Sequence, residues 1–386
     1  MRSGKAEIHY GPQPTLPACP PLTIVADDLT GACDAAVAFT CRCNPVRVQI
    51  SRQATENAGL RAISTESRDL FSEEAVRRLQ NIVERLPAGV ELFKKVDSVF
   101  RGNTVVEIAA ALRHAPCDIA IIAPAYPALG RVVHQGVLKI HDSMGTHSVP
   151  IADLLAQAGC SLGSLAANES FESLADSLTD CVSIGTRAVL CDASTSTHLT
   201  QIVRAARSLG KQIVWIGSGG LAHALAAELP TLATQPPKQL REGPTIFFTG
   251  SPHPVSRAQV SHLQQVAQIA EHPSPATHST QDDLLVPIEL GRTTANEIRR
   301  AVSSYDPAQI GCLFMTGGDT AHFACRALEI QSLRLLHEFA PGVPVALAEG
   351  GPFDGVRIVL KSGGFGAPDL LCRLLEANRA SHEVTA

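Results

Sequence analysis

From residue 22 onward the chain alternates short, β-branched apolar runs with longer stretches of mixed polarity. The runs are LTIVA (22–26), VRVQI (46–50), LRAIS (60–64), ELFKKV (91–96), DIAIIA (118–123), AVLCD (188–192), QIVWIG (212–217), TIFFTG (245–250), GCLFMTG (311–317) and VRIVLKS (356–362). Short apolar runs closed by glycine or charged residues predict buried strands of parallel sheets. The intervening stretches carry helical spacing, most clearly SEEAVRRLQNIVERL (72–86), which predicts a helix opened by a capping box at Ser72 with Glu74 in its first turn. Such alternation predicts an α/β fold with helices on the sheet faces. The segment LATQPPKQLREGP (232–244) breaks the rhythm with prolines, glycine and charge and predicts a linker. The expected organisation is a Pro-rich lead-in (1–21), a first domain (22–231), the linker (232–244) and a second domain (245–386). Each domain is expected to be a mostly parallel sheet flanked by helices, with an active-site cleft between the two. A length of 386 residues agrees, because single cores stop growing at roughly 250–300 residues.

In open α/β sheets ligands gather at the carboxyl ends of strands, so those ends are where chemistry is expected. The first, Asp27-Asp28-Leu29-Thr30-Gly31, carries two adjacent acids. One can cap the following helix, but two exceed what a cap requires, and one is expected to face a ligand as hydroxyl acceptor or general base. The second, LFKKVDSVFRGN (92–103), crowds Lys94, Lys95, Asp97, Ser98, Arg101 and Asn103. In a regular strand the two lysines point to opposite faces, so at most one serves a given site; both also fit a solvated edge strand. The third, STESRDL (64–70), offers Arg68 as a bidentate clamp for a carboxylate, or simply as a surface ion-pair residue. The fourth group comprises TGSPHPVSRAQ (249–259), TGGDTAHFA (316–324) and KSGGFGAPD (361–369). Each joins a strand to a helix through glycines or small polar residues, which lets backbone N–H groups approach phosphate at a helix start.

Composition narrows the function without naming it. A net charge of −5, no basic stripe and 4% aromatic residues argue against nucleic-acid binding. No apolar run is long enough for a transmembrane helix, and the first residues lack the apolar core of a secretion signal. The 11 cysteines include no CxxC pair, so reduced thiols in a cytoplasmic protein are expected. His134, His141 and His147 fit no metal-ligand spacing. No P-loop sequence occurs. Gly217-Ser218-Gly219-Gly220-Leu221-Ala222 matches the G-x-G-x-x-A dinucleotide variant, but the next strand ends in glycine rather than the expected acid. A nicotinamide-dependent oxidoreductase using that loop therefore stands as an alternative.

Together, ADDLTGACD, STESR, KKVDSVFRGN, PAYPALGR (124–131), GSGGLA (217–222), TGGDTA and KSGGFG resemble the signature blocks of the four-carbon acid sugar kinases, in order from about residue 22 to about 376. That resemblance implies an N-terminal acid-sugar-binding domain and a C-terminal nucleotide-binding domain. It implies ATP-dependent phosphorylation of the terminal hydroxyl of an acid such as threonate, erythronate or an oxo-tetronate. It places Asp28, Arg68, Lys95, Asp97, Ser98 and Arg101 around the acid, with Asp27 beside them, and Ser251, Gly317, Gly318, Asp319, Thr320, Gly363 and Gly364 around ATP. Asp28 is the expected base for the attacking hydroxyl, and Asp319 or Asp27 is expected to reach Mg²⁺ carried with the nucleotide. Partners are then a small sugar acid and ATP, with no nucleic acid or membrane, and a homo-oligomer is left open. The chain departs from the family pattern at His253, where a second serine is usual in the nucleotide loop. It departs again at VLKIHDSMGTHSVP (137–150), where a glycine-containing specificity loop is usual. A non-catalytic sensor of acid sugar and nucleotide is the remaining alternative.

Overall fold

The structure is a computed structural model that describes residues 21–50, 59–142, 145–166, 170–232, 243–267, 269–271 and 282–380. The expected lead-in, except Pro21, and residues 233–242 of the expected linker lie outside the described residues. Every run singled out by its apolar pattern forms a strand, within a residue or two at its ends. The helix expected over 72–86 spans Ser72–Val83 and buries Ala75, Leu79 and Val83 at i, i+4 and i+8. Its N-cap is Phe71, with no side-chain cap. Ser72 lies inside the helix instead, and its hydroxyl donates to Asn103 Oδ1 at 3.0 Å.

Among the described residues the strands of the two expected domains do not make two separate sheets but join into one 15-stranded sheet. Its first half runs Val46–Gln49, Arg61–Ser64, Leu22–Ala26, Glu91–Lys95, Ile213–Gly217, Ile119–Ala123, Ala188–Cys191, Gly163–Leu165, all parallel. The second half begins with Ala270–Glu271, Leu284–Pro287, Thr245–Thr249, Cys312–Thr316 and Arg357–Lys361, also parallel. An antiparallel pair, Val343–Glu349 and Ser332–Ala340, then closes the gap. Ser332–Ala340 pairs antiparallel with Val46–Gln49, from Ser332 opposite Gln49 to Leu335 opposite Val46. A smaller antiparallel sheet of Arg131–His134, Val137–Asp142 and Gly145–Pro150 holds the region expected as a specificity loop.

One apolar core crosses the junction, running from Ile24, Phe93 and Trp215 to Phe248, Leu313 and Met315. At its centre sits the helix Leu29–Val37, every residue of which is buried. Its small side chains (Gly31, Ala32, Cys33, Ala35, Ala36) let it pack against the helices Gly219–Ala227 and Gly318–Ala327 and the strand Ser332–Ala340. A helix that crowded must stay thin, and its N-terminus is thereby set where the two halves meet. Cys43 is disulfide-bonded, a departure from the expectation of reduced thiols throughout; the other described cysteines form no disulfide. Among the described residues no helix is long and apolar enough to cross a membrane.

Candidate active site

The strand Leu22–Ala26 ends at the two aspartates, and the structure gives them different work. Asp28 is the N-cap of the Leu29–Val37 helix: its Oδ1 accepts from Gly31 N at 2.7 Å. Its Oδ2 accepts from Thr30 Oγ1 at 2.8 Å and from Arg68 NH1 at 2.6 Å. Asp27 is gripped by the same guanidinium through Nε at 2.9 Å and NH2 at 2.8 Å. Arg68 NH2 also lies 3.6 Å from Asp97 Oδ1. The guanidinium expected to clamp a substrate carboxylate is thus largely committed to protein carboxylates, which hold its charge more firmly than usual against the opposing effect of burial. It has five N–H donors, so donors remain for a ligand.

The loop carrying Arg68 is braced from behind. Asn103 Nδ2 donates to the carbonyls of Ser67 at 2.9 Å and Leu70 at 2.8 Å. Gly102, at φ +65°, sits so close that a Cβ there would lie 2.6 Å from Arg68 O. Ser67 donates to Glu107, which pairs with Lys94 at 2.7 Å, and both ionic side chains are 1% exposed. The two lysines do point to opposite faces, with Lys95 reaching Asp34 at 3.4 Å. The solvated-edge alternative fails, because Glu91–Lys95 is an interior strand paired on both sides. Asp97 is likewise engaged: Arg101 holds it through Nε at 3.0 Å and NH2 at 2.7 Å, and its backbone N–H adds a third bond. Burial alone would raise its pKa, but the Arg101 guanidinium holds it far below the usual carboxylate range.

The facing wall comes from the second half. Gly317, at φ +94°, is the N-cap of the Gly318–Ala327 helix, whose first turn carries Asp319 and Thr320. Gly318 approaches the first half so closely that a Cβ there would lie 2.2 Å from Asp28 Oδ2. A Cβ on Gly250 would lie 2.5 Å from Thr320 Oγ1, and one on Gly363 would meet Ser251 Oγ at 2.4 Å. Thr30 Oγ1 and Ser362 Oγ, 3.1 Å apart, tie the walls together. His253 stands beside Gly364; its Nδ1 accepts from Val255 N at 3.2 Å. Burial, with the charges of Arg101 and Lys361, pushes the His253 pKa down.

Between these walls lies a cavity of about 320 Å³. Of the expected residues, Asp28, Arg68, Arg101, Ser251, Gly317, Gly318, Asp319, Thr320 and Gly363 line it. Asp27, Lys95, Asp97, Ser98 and Gly364 do not; Asp27 and Asp97 act on it only through the arginines they bind. An adjoining cavity of about 570 Å³ shares Gly250 to Pro252 and Leu290 and adds Val260, Ile288, Arg257 and Glu289. The Gly217 loop is no open cradle. A Cβ on Gly217, Gly219 or Gly220 would strike Ala123 O, Tyr126 or Ala125 O within 2.6 Å, so these glycines serve packing. Among the described residues no group of three or more His, Cys, Asp or Glu side chains is placed to hold a metal ion.

The sequence of a sugar-binding N-terminal domain family matches residues 22–225, and that of a nucleotide-binding C-terminal domain family matches residues 276–371. The chain is 31% identical to a D-threonate kinase of Bordetella bronchiseptica, covering 93% of this chain and 98% of that one. The chain belongs to the four-carbon acid sugar kinase family. A D-erythronate kinase of Heliobacterium modesticaldum is 25% identical over 92% of this chain and 96% of its own length. A 3-oxo-tetronate kinase of Cupriavidus necator is 26% identical over 92% and 96%. A solved structure from Haemophilus influenzae shares the fold, with a TM-score of 0.66 at 20% identity over 93% of this chain and 99% of that one. Within this acid sugar kinase fold, sequence reasoning missed Asp69, Thr30, Ser362 and Lys361. Thr30 and Ser362 stood inside quoted motifs, but only their contact across the walls marks them out. Lys361 reads in sequence as an ordinary strand-end lysine.

Proposed function

We propose that the protein is an ATP-dependent kinase that phosphorylates the terminal hydroxyl of a four-carbon sugar acid, with D-threonate the first substrate to test. One observation carries this reading: a single small cavity has a carboxylate–guanidinium wall (Asp28, Arg68, Arg101) facing a glycine-rich helix start (Gly317 to Thr320). The first wall suits a hydroxylated acid, with Arg101 and the free N–H groups of Arg68 toward its carboxylate. The second suits phosphate. On this reading residues 22–231 bind the acid and 245–386 bind the nucleotide, with the nucleoside in the adjoining cavity of about 570 Å³.

Asp28 is the residue we assign to the attacking hydroxyl. A carboxylate has about four lone-pair sites, and Gly31 N, Thr30 Oγ1 and Arg68 NH1 use three of them. One site on Oδ1 remains to accept the substrate hydroxyl proton and fix the oxygen's line of attack. Phosphoryl transfer of this kind depends mainly on positioning and on stabilising charge at the transferring group. The charges of Arg68 and Arg101 and the N–H groups of the first turn of the Gly318–Ala327 helix supply that stabilisation here. Mg²⁺, when carried by the nucleotide, neutralises phosphate charge and favours oxygen ligands. Asp319 fits it: burial and the nearby Asp69 and Asp28 charges raise its pKa, a strain that a cation relieves. Asp27 does not fit, being 2% exposed and held at both oxygens by Arg68.

The test is ADP release with ATP and Mg²⁺ across D-threonate, L-threonate, D-erythronate and the oxo-tetronates, with the phosphorylated carbon located by NMR. Turnover on one acid with phosphate on C4 is expected. Asp28→Asn should cut that turnover by about 10²–10⁴-fold. It should keep the helix cap, because Asn caps helices as well as Asp, while Arg68 stays paired with Asp27. No ADP release across the panel would overturn the reading, and near-normal turnover of the variant would remove Asp28 from its role.

A further inference from the structure

Lys361 ends the strand Arg357–Lys361 and is 0% exposed. Its Nζ donates to Ser256 Oγ at 3.0 Å, to Ser362 O at 2.9 Å and to Gly363 O at 2.9 Å. An ammonium has three N–H donors, so all are used. Ser256 in turn donates to Gly363 O at 2.7 Å and lies 3.0 Å from Thr316 Oγ1. The backbone of Lys361 closes the circuit, its carbonyl accepting from Gly317 N at 2.8 Å. Through its ammonium, Ser256 in the Pro254–Ala267 helix and its own backbone carbonyl, Lys361 therefore links the loops after residues 250, 316 and 361, all three of which line the cavity. Among the described residues no carboxylate pairs with this ammonium. Burial alone pushes its pKa down to about 7. Of the titratable groups around it, His253 from the neighbouring helix start feels its charge, and Asp28 is reached only through Thr30 and Ser362.

A buried cation with no counter-charge is costly where hydrogen bonds alone are needed, since neutral donors would serve. The arrangement makes sense if the missing anion arrives with the ligand. We propose that Lys361 is a positioning residue for phosphoryl transfer: it holds the Ser362–Gly363 loop in register with the Ser251 and Gly317 loops, and its charge is neutralised by the bound triphosphate. The inference rests on the kinase reading and extends it to a residue that does not itself line the cavity. All donors of Lys361 are spent on the loop, so it acts through the loop and does not touch the phosphates.

Two measurements on the full chain test it. The first is calorimetric titration with Mg²⁺–ATP at pH 7.5 in two buffers of different ionisation enthalpy. Wild type should take up a sizeable fraction of a proton on binding. His253→Gln should keep that uptake, and Lys361→Arg should lose it, because arginine is already charged. The second is the KM split. Lys361→Met should raise the KM for ATP by about 10–100-fold, the worth of charged hydrogen bonds, while that for the acid moves far less. Lys361→Arg should recover part of the loss. No proton uptake, uptake that vanishes in His253→Gln and persists in Lys361→Arg, or equal rises in both KM values would each overturn the proposal. If Lys361→Met does not fold, the uptake pattern decides alone. A wild type that binds no ATP would overturn the kinase reading together with this one, whereas active wild type with an unaffected Lys361→Met overturns this one only.

Discussion

Gly318→Ala tests whether the two walls really meet at Asp28. A Cβ on Gly318 would lie 2.2 Å from Asp28 Oδ2, 2.7 Å from its Cγ and 2.9 Å from its Cβ, where real Cβ contacts stay above 3.0 Å. Relief requires the walls to part by about 1 Å, since Asp28 is pinned by Gly31, Thr30 and Arg68 and cannot swing aside. A displacement of about 1 Å at a reacting centre can cost about 10²-fold in rate. The expected outcome is a fall of about that size in kcat/KM in the coupled ADP assay, with both substrates still bound. Stability should drop by about 1–3 kcal/mol, the usual cost of forcing an extra methyl into a filled space, read from denaturant midpoints. A variant within threefold of wild type in kcat/KM would refute the claim that Asp28 and the Gly318 turn form one reaction site.

Arg68→Ala should act first on stability. It strips the partner from Asp27 and Asp28, both nearly fully buried, and breaking such a pair costs about 3–5 kcal/mol. An unchanged midpoint in urea, with only the KM of the acid raised, would restore the simpler clamp expected from sequence. A second test concerns Glu66 and His322, 3.3 Å apart across the junction. Burial raises the Glu66 pKa to about 8 and lowers that of His322 to about 4, so the contact joins neutral groups and is not an ion pair. A raised folded pKa gives stability that is present below the unfolded value and lost as pH rises through the folded one. His322 is silent above about pH 6.5. Between pH 6.5 and 8.5 wild type should therefore lose stability relative to Glu66→Gln, by at most about 1.4 kcal/mol per pH unit. Parallel stability curves for the two proteins across that range would show that Glu66 titrates normally.

How much of this was legible in the sequence depended on how local each signal was. The parallel strands announce themselves as apolar runs, because a strand covered on both faces needs nothing but apolar residues. SLRLLHEFA, which became the strand joining the two halves, mixes charge and apolar residues and pairs with Val46–Gln49 about three quarters of the chain away. No window of sequence contains that partner. The same holds within the site. Residue types told that Arg68 would bind a carboxylate, but not that the carboxylates would be Asp27 and Asp28; that is settled by Thr65 and Ser67 hydrogen-bonding to the backbone of Ala26 and Asp27. Alternation placed Lys94 and Lys95 on opposite faces, yet whether a face is solvent or core depends on the strands added beside it. The glycines show the limit most sharply. TGGDTA reads as a phosphate cradle because glycine allows a backbone turn that side chains rarely permit, and that reason is sufficient for Gly317 at φ +94°. Gly318 has a second reason that the motif does not contain: it must be bare so that Asp28, some 290 residues earlier, can stand against it. On the proposed function, one glycine thus serves the phosphate side by its backbone and the hydroxyl side by its missing side chain. That double duty is why replacing it should separate catalysis from binding more cleanly than replacing any charged residue in the cavity.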